Sequence, residues 1–118
     1  MPLVRIATTF APTPAQAEKV MAAVTKTLAQ QFDVPEGFVH VHIMPSQLMS
    51  WGGTFGNTTV VDIRALADQL SDESRVSLGA SVTSTLSEWT PPDRTEIIYQ
   101  AVTLDDVVID GTVISKRS

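Results

Sequence analysis

The order strand, helix, strand is written twice in this chain, and that repetition limits its fold more than any other feature. In the first copy Leu3-Val4-Arg5-Ile6-Ala7-Thr8 is β-branched enough for a strand. Thr13, Pro14 and Gln16 then supply an N-cap, a first-turn proline and a capping-box partner. Val20, Val24 and Leu28 recur at helical spacing, with Ala17 and Met21 beside them, until the stretch 33–37 with Pro35 ends the helix. Residues 38–44 alternate at period two and form the second strand, stopped by Pro45. The second copy starts with a strand over 58–66, caps a helix at Ser71 with Asp72 and Glu73 in its first turn, and runs it to about Trp89 on a stripe of Leu78, Val82, Leu86 and Trp89. Residues 91–94 break that helix and 95–100 supply the fourth strand, with Pro92-Asp93 answering Pro35-Glu36.

A βαβ crossover is right-handed, so both helices belong on one face of a single four-stranded sheet. The expected fold class is α/β (α+β), one domain over 1–118, followed by a tight hairpin at Asp110-Gly111. Residues 45–53 read as a packed loop with a glycine pair, and the charged tail 115–118 as a fraying end.

Strand alternation shows what the two sheet faces carry. Val39, Val41, Ile43, Val61 and Ile63 share the parity that suits the helices. The other parity carries Arg5, Phe38, His40, His42, Val60, Asp62 and Arg64, a mixed face that predicts an assembly interface in which Arg5, Asp62 and Arg64 are partly buried and matched, by Arg5 with Asp62 or by Arg64 with Asp62 or Glu96. Only 18% of residues are charged, which also favours a surface partly covered by other subunits. A net charge of −5 without any Lys/Arg cluster argues against nucleic acid and anionic membrane as partners. No cysteine is present, which removes disulfides, thiolate metal sites and cysteine nucleophiles. No apolar run reaches the ~20 residues of a membrane span, Arg5 interrupts any signal-peptide core, and a cytoplasmic protein is expected. His40 and His42, two apart on a strand without an acid at ligand spacing, predict packed neutral histidines and no metal site.

The chemistry-bearing feature is the start, Met1-Pro2. A small second residue favours removal of the initiator methionine, which leaves proline's ring nitrogen as a free secondary amine. A main-chain amine titrates near ~7.7–8.0 and a secondary amine somewhat higher, and burial moves either toward neutrality, where a general base works best.

With Met1-Pro2 opening a strand, the duplicated βαβ, the stretch 39–53 (Val-His-Val-His-Ile-Met-Pro-Ser-Gln-Leu-Met-Ser-Trp-Gly-Gly) and Pro92-Asp93-Arg94 before the last long strand, the chain resembles the tautomerase superfamily, in its macrophage migration inhibitory factor branch. The resemblance implies a homotrimer whose sheets surround a channel, and an amino-terminal proline that moves a proton between carbon and oxygen of an α-keto acid. It places Pro2 at the catalytic position, with Leu3, Phe38, Leu66 and Val107 supplying pocket-lining apolar groups and a backbone donor. The lysine that relatives use for the substrate carboxylate falls on Val34, and the tyrosine and asparagine of a neighbouring subunit fall on Glu96 and Ile98. The cysteine pair of mammalian members falls on Thr58 and Val61.

Arg64, at a pocket-wall position, is expected to hold the anion that Val34 cannot, because a guanidinium binds a carboxylate bidentately. The first reading is therefore a trimeric enzyme with Pro2 as general acid or base on a small carboxylated keto or enol compound, without a cofactor. Other readings stay open. One is a branch that hydrates, dehalogenates or decarboxylates small acids with Pro2, Arg64 and Glu96, where Glu96 activates water; another is a non-catalytic trimeric binding or signalling scaffold, favoured by Val34, Glu96 and Ile98. A third, an unrelated ferredoxin-like module, is opposed by Met1-Pro2 and residues 47–53.

Overall fold

A computed structural model describes residues 1–117. Its main elements are β1 (Leu3–Thr8), α1 (Pro14–Phe32), β2 (His40–Met44), β3 (Thr59–Leu66), α2 (Asp72–Leu86), β4 (Thr95–Val102), β5 (Val108–Ile109) and β6 (Thr112–Val113). The four long strands form one sheet in the order β2-β1-β3-β4, and β5-β6 make a separate hairpin. Within each repeat the strands are parallel, and β1 meets β3 antiparallel where the repeats join.

Local chemistry explains the boundaries. Thr13 and Gln16 form the expected reciprocal box at the start of α1, and Asp33, in the left-handed conformation, closes its end with Val34 N–H donating to Ala29 carbonyl at 3.0 Å. Ser71 caps α2, whose regular turns stop at Leu86 rather than Trp89. Trp89 still enters the core from the following turn, stacked on Phe10 with ring centroids 5.3 Å apart. Residue 38 belongs to a 3-10 turn over Glu36–Phe38, so β2 begins at His40 instead of Phe38. In the hairpin both Asp110 (φ 54°) and Gly111 (φ 72°) lie in the left-handed region, as a type I′ turn requires.

The core fills the space between the helices and one sheet face. Val4, Ile6, Val61 and Ile63 from the strands meet Val20, Val24, Leu28, Leu78, Val82 and Leu86 from the helices, and Val39, Val41 and Ile43 pack at its margin. Burying each large aliphatic contributes about 1.5–3 kcal/mol, so this layer dominates the stability of the chain. Four threonines, Thr8, Thr58, Thr59 and Thr90, are also buried, and Thr59 Oγ1 links Thr8 Oγ1 (2.9 Å) to Thr90 Oγ1.

The stretch 45–53 is not held by packing. Leu48 is 103% exposed and Phe55, just beyond, 88%. A guanidinium organises the adjacent segment: Arg94 donates to Asn57 carbonyl (3.0 Å), Thr54 Oγ1 (2.8 Å), Thr54 carbonyl (3.2 Å) and Thr58 Oγ1 (2.9 Å). The stretch 45–53 is itself tied back by backbone bonds, the Ser46 amide donating to Phe10 carbonyl at 3.0 Å and the Gln47 amide to Thr8 carbonyl at 2.9 Å.

Candidate functional site

The opposite sheet face carries three ranks of side chains. Register places His40, Leu3, Arg64 and Gln100 in one rank, His42, Arg5, Asp62 and Ile98 in the next, and Met44, Ala7, Val60 and Glu96 in the third. Arg5 stands opposite Asp62, yet the ion pair is Arg64 Nε to Asp62 Oδ2 at 3.6 Å. Of the expected pairings, Arg64 with Asp62 is present and Arg5 with Asp62 is not: residues two apart on a strand share a face, and Arg64 reaches along β3 to its neighbour. At 3.6 Å the contact is too long for a hydrogen bond and leaves Arg64 Nε without an acceptor. His40 and His42 are exposed on this face rather than packed. Among the described residues no three His, Cys, Asp or Glu stand together as metal ligands.

Pro2 is buried where β1 begins. Its carbonyl accepts the His40 amide at 3.1 Å, which ties the amino terminus to the start of β2. Beside it opens a cleft of about 450 Å³ lined by Met1, the segment 37–40, Leu104, Val107, Ile109, Ile114 and Arg117. Phe38, Val39, Leu104, Val107, Ile109 and Ile114 make most of its wall apolar, and Arg117 is the charged side chain in it. With Met1 attached, the Pro2 nitrogen is a tertiary amide with neither an N–H nor a basic lone pair. The β5-β6 hairpin is what builds the far wall: the Ile114 amide donates to Val107 carbonyl at 2.8 Å and returns the tail toward the amino terminus.

The expected site residues fall into three groups. Phe38 and Val107 line the cleft with Met1, and the buried Pro2 is joined to it through Met1 and the His40 amide. Leu3 and Arg64 share the nearest rank of the open face, Leu66 ends β3, and Val34 is half-buried just past α1; none of these lines the cleft. Glu96 and Ile98 lie on β4, separated from β1 by β3, and Glu96 is four residues, roughly 13 Å, along the strand from the rank of Arg64. One chain therefore cannot bring Glu96 to Pro2. Arg117 was missed because the tail reads as a charged end; the only sequence signal was the hairpin that turns it back.

A duplicated βαβ sheet whose first strand opens on a buried proline is the architecture of the tautomerase superfamily. The family described as "Macrophage migration inhibitory factor (MIF)" matches residues 1–115, and the chain belongs to it. Among solved structures, the macrophage migration inhibitory factor of Toxoplasma gondii superposes with a TM-score of 0.88 at 15% identity, covering 93% of this chain and 97% of that one. The homologue from Prochlorococcus marinus gives 0.87 at 19% identity, covering 95% and 98%. The structure named "F6 fused 4-OT wild type asymmetric trimer" gives 0.81 at 15% identity, covering 96% of each chain. At these identities the likeness is one of fold. No curated protein matches the chain in sequence.

Proposed function

We propose that this chain, assembled as a homotrimer and freed of Met1, is a tautomerase that uses Pro2 as general acid and base on a small carboxylated keto or enol compound. The observation that carries the reading is the burial of Pro2 behind an apolar cleft of small-molecule size. In the reaction the neutral amine removes the enol O–H proton, and the resulting ammonium returns a proton to the adjacent carbon as the ketone forms. The net change is one proton moved from oxygen to carbon, and no cofactor takes part. Burial favours the neutral amine, and apolar walls strengthen its interaction with the developing enolate.

Assembly completes the site. Glu96 and Ile98, out of reach within one chain, belong to the neighbouring copy's contribution in this reading, and a trimeric structure with the same fold supports the arrangement. The substrate carboxylate needs a fixed cation, for which Arg64 at the open face and Arg117 in the cleft compete. A non-catalytic scaffold remains the second reading, because Val34, Glu96 and Ile98 lack the lysine, tyrosine and asparagine of active relatives. The test is turnover of an arylpyruvate enol by Pro2→Ala in protein whose intact mass shows Met1 removed. A fall of ~10²-fold or more with the fold intact is expected of a positioned acid or base, and a smaller loss assigns the proton transfer elsewhere.

A further inference from the structure

Resting on the cleft identified above, we infer that Arg117 is its carboxylate-binding residue. Within one chain, and among the described residues, Arg117 is the charged side chain of the walls, which otherwise comprise the amino-terminal Met1, apolar side chains, Gly37 and His40, with no Asp or Glu.

The guanidinium is held before any ligand arrives. Arg117 Nη2 donates to Ile109 carbonyl at 2.5 Å, and the Arg117 amide donates to Ile114 carbonyl at 3.1 Å, so side chain and backbone are both pinned to the hairpin. A guanidinium has five N–H donors and one is engaged here, which leaves a pair for bidentate capture of a carboxylate. Among the described residues no acid forms an ion pair with Arg117, whereas Arg64 lies beside Asp62 and outside the cleft wall. Fixing the fork in advance lowers the ordering cost that a flexible surface arginine would impose on binding.

Calorimetric titration separates this inference from proline chemistry, because it needs no turnover. The probes are 3-phenylpropanoate, which has no keto group to tautomerise, and its neutral amide of the same shape. Met1-trimmed protein is expected to bind the acid at least roughly tenfold more tightly than the amide, the increment of a charge-assisted hydrogen bond. Arg117→Gln, which keeps a donor for Ile109 carbonyl but loses the charge, is expected to abolish that preference and leave amide binding within about twofold. Arg117→Lys, with charge but no fork, should retain part of it. The inference is overturned if the wild-type chain does not prefer the acid, if the preference survives in Arg117→Gln, or if Arg64→Gln removes it while Arg117→Gln does not. Loss of turnover in Pro2→Ala with the acid preference intact leaves both assignments standing. An acid preference that depends on Arg117 in a chain without turnover rejects the enzyme and keeps the anion site.

Discussion

At the residue scale, one buried threonine joins two others inside the fold. Thr59 sits fully buried on β3 between Thr8 and Thr90, and its hydroxyl is the link that satisfies both. Thr59→Val keeps the shape and strand preference but removes that link, leaving the hydroxyl of Thr90 without this partner inside the core. Leaving a buried donor or acceptor unmatched costs about 1–3 kcal/mol, and a denaturant midpoint lowered without a change in slope is the expected result. Pro2 was legible because burial and strand position follow from its neighbours: Leu3, Val4 and Ile6 fix β1 wherever the sheet forms. Arg94 and Arg117 were not. Each acts on carbonyls or hydroxyls several to forty residues away, contacts that no local period encodes.

At the element scale, periodicity carried most of the fold. The helix stripes, both N-caps and the Asp110-Gly111 turn depend on spacing of a few residues, so they are readable before any tertiary contact is known. The segment 54–58 escaped that reading because Arg94, beyond α2 in sequence, holds it. How α2 is docked on β4 yields a pH prediction. Tyr99 Oη donates to Arg75 carbonyl at 2.7 Å beside Gly79. Burial pushes the Tyr99 phenol above its ordinary value near 10.0, with the Arg75 charge and a hydrogen bond to the Gly79 backbone opposing it. In the unfolded chain the phenol therefore ionises first. This contribution to stability is constant below about pH 10 and falls as pH rises through the interval up to the raised folded value. Tyr99→Phe should flatten that alkaline decline, measured by thermal unfolding from about pH 8 to 11, at the cost of the Arg75 hydrogen bond throughout.

At the scale of the whole molecule, the single chain leaves apolar side chains and sheet edges open that assembly would cover. Phe38 (59% exposed), Ile98 (50%) and Val108 (61%) accompany Leu48 and Phe55, while β2 and β4 are open sheet edges. A trimer that covers them is expected by light scattering to have three times the 12.7 kDa chain mass, and a monomer at micromolar concentration would remove the neighbouring copy from the site. Whether a free proline nitrogen moves the proton is decided by comparing the same chain with and without Met1. Met1 lines the cleft and turns the Pro2 nitrogen into an amide, so both access and basicity are lost while it is attached. Arylpyruvate tautomerisation should rise in proportion to the trimmed fraction measured by intact mass, reaching zero enzymatic rate when every chain retains methionine. Equal turnover by the fully methionylated protein would contradict the account.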